Sequence, residues 1–142
     1  MKIFQIFLIN NKIYIKGPGP PLKNITQTQQ QTLIKEIITM KEIINGKLYN
    51  TETANEIAVW SNNGSDYSDF RCIEETLYQK KNGEFFLAAY GGALTKYRRS
   101  CGNNSWSGNT LIFPFSDGET KEWLAKHSFV TSYIQLFGEV EE

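Results

Sequence analysis

Glu84-Phe85-Phe86-Leu87-Ala88-Ala89-Tyr90 is the stretch whose reading decides the fold. Apolar side chains fill successive positions here, and in a strand successive positions point to opposite faces. The stretch therefore reads as a strand buried on both faces, in the middle of a sheet. Lys80-Lys81-Asn82-Gly83 makes the turn before it, and residues 70–79 supply its antiparallel partner. Gly91-Gly92 ends the central strand.

Toward the N-terminus, Glu42-Ile43-Ile44 and Lys47-Leu48-Tyr49 flank Asn45-Gly46, a strong hairpin signal because both turn residues tolerate positive φ. Thr51 then reads as a helix N-cap. Ala54, Ile57, Ala58 and Trp60 follow near helical spacing, and the turn residues Ser61-Asn62-Asn63-Gly64 close that helix. Toward the C-terminus, residues 111–115 read as a strand that Pro114 confines to an edge or a strand end. Ser116 caps a helix with Asp117 and Glu119 in its first turn and Trp123, Leu124 and Phe129 on its apolar side. A last helical segment runs through Tyr133, Ile134 and Leu136 to Gly138. Strands cluster instead of alternating with helices. The expected class is α+β, a small antiparallel sheet of about five strands with two to three short helices packed on it.

The chain has 142 residues, 40% of them hydrophobic and 21% charged, with a formal net charge of zero. That balance excludes wholesale disorder and a strongly basic nucleic-acid packer. Two cysteines and one histidine build neither a disulfide scaffold nor a four-ligand zinc site. No run approaches the roughly 18 apolar residues of a membrane-spanning helix, so a cytoplasmic location without membrane partners is expected.

Charge breaks at Met40. Residues 1–39 carry five lysines against Glu36 alone, a net of +4, while residues 40–142 hold ten Lys/Arg against fourteen Asp/Glu, a net of −4. All three tryptophans lie beyond the break. Residues 40–142 are expected to form a single compact domain, and residues 1–39 an N-terminal extension with three competing readings. Lys2 and the short apolar stretch after it resemble a signal peptide, although no small-x-small cleavage site follows. As structure, Phe7-Leu8-Ile9 and Ile13-Tyr14-Ile15 pair across Asn10-Asn11, the Gly-Pro stretch 17–21 is a linker, and residues 26–38 are a helix. Alternatively, Lys35-Glu36 encoded as AAG-GAG is a ribosome-binding site ahead of the Met40 codon, which makes residues 1–39 a translated leader.

No enzyme signature emerges. A nucleophilic pair needs a base beside the nucleophile, and His127 sits at the expected end of a helix, as a capping or surface residue. Cys101 follows Arg98 and Arg99, cations that lower a thiol pKa, against the plainer reading of a reduced loop cysteine. Cys72 reads as core, and a disulfide between the two stays open. Glu74 and Glu75 point to opposite faces of a strand and cannot act together; a solvated face and a partner for Arg71 is the expected role. Asp66 and Asp69 lack a third acidic ligand at calcium-loop spacing. No catalytic residue, metal site or cofactor is therefore expected, and a hydrolase or nuclease built on Cys101 or scattered carboxylates is a minor alternative. One stretch stands out as a surface: Lys96, Tyr97, Arg98, Arg99 and Trp106 lie together in a Gly/Asn/Ser-rich segment over residues 94–109. Cations with aromatics hold single-stranded nucleic acid and also dominate protein-binding hot spots. The structural alternative is a long loop whose Trp106 plugs the core.

Ile43-Ile44-Asn45-Gly46-Lys47-Leu48-Tyr49-Asn50-Thr51-Glu52-Thr53-Ala54 resembles the opening of small proteins carried by phages, plasmids and conjugative elements of Firmicutes. Ser68-Asp69-Phe70-Arg71, Glu74-Glu75-Thr76-Leu77-Tyr78, Gly83-Glu84-Phe85-Phe86-Leu87, Gly91-Gly92, Lys96-Tyr97 and Glu122-Trp123 look similar too. The similarity spans nearly all of residues 40–142 and none of 1–39, and proteins of that set usually begin where Met40 lies. It carries no catalytic residue onto this chain. Accessory proteins of mobile elements include inhibitors of CRISPR nucleases, so the resemblance implies a non-enzymatic, anti-CRISPR-like inhibitor in the host cytoplasm. Its expected partner is a CRISPR effector nuclease or its ribonucleoprotein, with a small nucleic-acid-binding regulator as the alternative. Such inhibitors span unrelated folds, so the fold class does not test that role.

Residues 40–142 are expected to fold alone, since about 100 residues suffice for a domain and an isolated hairpin adds little unless it docks. Expressed as Met40–Glu142, the protein should keep the thermal midpoint of the full chain. A drop of more than about 10 °C, well over ~1 kcal/mol for a domain of this size, would make residues 1–39 integral structure.

Overall fold

The computed structural model describes residues 5–9, 12–16, 39–62 and 68–142. The chain divides into two compact units, Met1–Thr39 and Met40–Glu142. In the first, β1 (Gln5–Ile9) and β2 (Lys12–Lys16) pair antiparallel, with Phe7 opposite Tyr14 and Leu8 opposite Ile13. The linker expected at 17–21 and the helix expected at 26–38 lie outside the described residues.

The second unit opens with β3 (Lys41–Ile44) and β4 (Lys47–Asn50), joined through Asn45 at φ 51 and Gly46 at φ 76. Both central residues are left-handed, the geometry that favours Asn-Gly in a two-residue hairpin. Next comes β5 (Asn55–Ser61), a strand where helical spacing predicts a helix. Thr51 does not cap. Its hydroxyl oxygen accepts the Met40 amide at 2.9 Å and closes the base of the first hairpin, while Asn50 Oδ1 accepts the Glu52 amide at 3.0 Å and tightens a turn. The branched Ile57 and Val59 then suit a pleated surface. Pairing with the next strand, Val59 opposite Thr76 and Trp60 opposite Glu75, overrides the helical period.

Strands β6 (Ile73–Gln79) and β7 (Phe85–Gly91) form the hairpin that the sequence predicts, with β6 starting a few residues later than expected. Residues 99–107 fold into a separate ribbon, β8 (Arg99–Gly102) with β9 (Ser105–Ser107), in place of the expected long loop. β10 (Asn109–Phe115) completes a four-stranded antiparallel sheet of order β10-β7-β6-β5. Pro114 lies opposite Phe86 on the edge strand β10, so its missing N–H breaks no ladder. Two helices follow among the described residues, α1 (Asp117–Lys126) and α2 (Val130–Phe137). Ser116 starts α1 with a reciprocal capping box: its amide donates to Glu119 Oε2 at 2.8 Å and its Oγ accepts the Glu119 amide at 3.2 Å. Phe129 belongs to the entry of α2 and not to α1. No described helix is long and apolar enough to cross a membrane.

β7 is apolar on both sides because both sides are covered. Phe85 and Leu87 pack with Leu77, Ala58, Trp123 and Leu124 under the helices. Phe86 points the other way, into a second cluster with Tyr49 and Ile112 that the β3–β4 hairpin covers. The Tyr49 ring meets Phe86 edge-on at 5.5 Å, and Tyr78 stacks on it at 5.2 Å. The unit is thus a three-layer stack of hairpin, sheet and helices.

Glu84 fastens the hairpin layer to the β6–β7 turn. Lys47 Nζ donates to its Oε1 and Lys80 Nζ to its Oε2 at 2.8 Å. These bonds, with one from Asn82, hold the Glu84 carboxyl well below its ordinary value, at about 2. A carboxyl held down in the folded state stabilises fully above its unfolded range, and that contribution fades as pH falls through the folded value. Glu84→Gln should therefore lower the thermal midpoint at pH 6, and the gap to the parent protein should close as pH approaches 2. A gap of equal size at both pH values would contradict this account.

Candidate binding surface

Glu75 sits in β6 two positions before Leu77, so the pleat turns it toward the helix layer, and it is only 3% exposed. This corrects the expected solvated face. A buried carboxylate is costly unless it is hydrogen-bonded, and Glu75 is amply so. Tyr97 Oη donates to Oε1 at 2.6 Å, Trp123 Nε1 donates to Oε2 at 2.7 Å, and Lys96 Nζ stands 3.0 Å from Oε1. Burial alone would raise the carboxyl's pKa; these three donors outweigh it and hold it below the usual range. His127 adds to the cluster. Its ring lies 4.3 Å from that of Trp60 and 4.9 Å from that of Trp123, and Nε2 is 3.7 Å from Glu75 Oε2. Burial lowers the His127 pKa against the pull of Glu75. His127 is the C-cap of α1, as expected, but its side chain is buried and not a surface group.

Two of the five expected surface residues are therefore spoken for. Tyr97 is 8% exposed and belongs to the core. Burial, then Glu75, push its hydroxyl up to about 12. Lys96 keeps an exposed stem, but its ammonium lies 4.7 Å over the Tyr97 ring and is paired with Glu75. Burial works against that charge, yet Glu75 and Tyr97 raise its pKa overall.

The other three are at the surface. Arg98 and Arg99 are exposed, and Trp106 is 45% exposed, so it plugs no core. The Arg98 guanidinium lies 3.9 Å over the Trp106 ring, a cation–π contact worth about 0.5–1 kcal/mol at an exposed site. Every residue of β8 is exposed, so the ribbon stands on its rim of the unit with little packing beneath it.

The root of the ribbon is a close-packed crossing at two glycines. A Cβ on Gly91 would lie 2.2 Å from Thr95 Oγ1, and one on Gly92 would lie 2.4 Å from the Phe70 carbonyl oxygen. Thr95 Oγ1 donates to the Gly92 carbonyl at 2.8 Å and accepts the Tyr97 amide at 3.3 Å, and the Arg98 amide donates to the Thr95 carbonyl at 3.2 Å. Residues 92–98 are thus a compact knot, and Tyr97 and Lys96 tie it to Glu75.

Candidate chemistry elsewhere is sparse. No disulfide joins Cys72, which is fully buried, to Cys101, which is exposed with Ser105 Oγ 3.3 Å from its sulfur. Asp69 accepts the Arg71 amide at 2.8 Å, and Asp66 lies outside the described residues. Among the described residues no cluster of His, Cys, Asp or Glu is placed to hold a metal ion. A cavity of about 280 Å³ between β4 and the β6–β7 turn has no carboxylate, thiol or imidazole in its wall. Compared with protein-family models, curated proteins and solved structures, the chain matches none.

Adjacent donors commit Glu75 to structure. Glu75→Gln puts an amide N–H₂ where donors converge, and should cost about 2–4 kcal/mol in urea unfolding at pH 7. Lys96→Ala, which removes a largely exposed partner, should cost no more than about 1 kcal/mol. Equal costs would show that the Lys96 pair, and not the buried hydrogen bonds, carries the cluster.

Proposed function

We propose that this protein acts by contact, as a non-enzymatic inhibitor that binds a host defence nuclease, a CRISPR effector or its ribonucleoprotein, in the bacterial cytoplasm. The observation that carries the reading is the exposed Arg98–Trp106 stack on a ribbon with almost no packing of its own. Arg and Trp are the residues most enriched in binding hot spots. Two further points support it. The resemblance to mobile-element proteins supplies the class of partner. The net −4 of residues 40–142 suits competition for a cationic nucleic-acid channel. The test is co-purification with purified CRISPR effectors and a target-cleavage assay. Inhibition is expected from the parent protein, with at least ~10-fold loss of potency in Trp106→Ala and Arg98→Ala. Neither binding nor inhibition across several effector types would sink the reading.

A small nucleic-acid-binding regulator is the second reading, favoured by the shape of the ribbon: a two-stranded ribbon fits a major groove. Salt dependence separates the two. With Lys96 committed to Glu75, Arg98 and Arg99 remain, so the log–log slope of binding should be roughly −1.5 to −2. A flat dependence would remove this alternative.

A further inference from the structure

Arg71, Arg98 and Arg99 are all the arginine this chain contains, and the fold brings them to one rim. Arg71 follows Phe70 just before β6, Arg98 immediately precedes β8 and Arg99 opens it. Two backbone hydrogen bonds join these segments. The Leu94 amide donates to the Phe70 carbonyl at 2.9 Å, and the Gly92 amide donates to the Cys72 carbonyl at 3.0 Å. Gly108, at the far end of β9, also closes on this crossing, where a Cβ would lie 3.1 Å from the Gly91 carbonyl oxygen. The two backbone-bonded residues Phe70 and Leu94 are 67% and 58% exposed, beside the rim on which Trp106 is half exposed. Among the described residues no carboxylate pairs with any of the three guanidinium groups.

We infer that Phe70, Arg71, Leu94, Arg98, Arg99 and Trp106 form one surface that takes an acidic, apolar protein segment. Carboxylates of that segment pair with the arginines, and its apolar side chains cover Phe70 and Leu94. The inference rests on reading the chain as a contact-acting binding protein and names what the contact recognises. Charge complementarity sets the occupant. Guanidinium forks match carboxylates bidentately, which a lysine does not, and this rim holds every arginine of the chain. Phosphate has the same fork geometry and bases could stack on Phe70 or Trp106, which makes oligothymidine the competing probe. The net −4 of the unit weighs most heavily against a polymer with a charge on every residue.

The test uses the full chain, the Trp106 indole N–H signal and four probes. These are a short peptide of Glu, Asp, Leu and Phe; its Gln/Asn counterpart; an acidic peptide with Gly and Ser for Leu and Phe; and oligothymidine of matched charge. The acidic, apolar peptide should bind best, and Arg71→Glu, Arg98→Glu and Phe70→Ser should each weaken it at least ~10-fold. Val130→Ser, at an exposed apolar position on α2, should leave it unchanged. Equal binding of the neutral or the non-apolar peptide, tighter binding of oligothymidine, or no binding by any probe would overturn the inference. No nuclease takes part, so peptide binding without nuclease inhibition would remove only the CRISPR reading. Inhibition that survives Arg71→Glu and Phe70→Ser would remove only this surface.

Discussion

A single buried carboxylate holds three parts of the chain in register. Glu75 lies in the central hairpin of the sheet, Trp123 in α1, and Tyr97 and Lys96 in the segment leading to the ribbon. In an apolar surrounding the Trp123 and Tyr97 donors would be stranded without it, and it would be stranded without them. The mutual dependence fixes where α1 sits on the sheet and where residues 92–98 turn.

The ribbon inherits its position from that cluster. A two-stranded ribbon is marginal in water, and beyond its backbone ladder β8–β9 has the Arg98–Trp106 stack and the Cys101–Ser105 contact. Its root is rigid for a different reason. Gly92 lets the Phe70 backbone, and Gly91 the Thr95 hydroxyl, come closer than a Cβ allows. An anchored root presents Arg98, Arg99 and Trp106 from a defined place, which is the arrangement a binding surface needs.

Much of the fold was legible because local chemistry and tertiary packing agree there. Asn45-Gly46, the doubly apolar β7, Pro114 on an edge and the Ser116 capping box each act through neighbours in sequence. The failures share a cause of longer range. Helical spacing after Thr51 lost to pairing with β6, and Thr51 itself was claimed by Met40 across the hairpin. The charge of Glu75 argues for solvent, but its alternation with Ile73 and Leu77 on the pleat turns it inward. Tyr97 followed it inside. The signal that could have found both is the need of buried indole and phenol donors for an acceptor. The mixed fate of the basic segment, with Tyr97 inside and Arg98 outside, depends on that same carboxylate and has no local signature.

Hydrogen exchange at the indole N–H groups tests the central claim most directly, because the chain carries its own reference. If Glu75 locks sheet, helix and knot together, the Trp123 indole proton exchanges as slowly as the core amides of β7, while that of Trp106 exchanges at the rate of an exposed group. Trp123 and Trp106 exchanging at similar, fast rates would contradict the account.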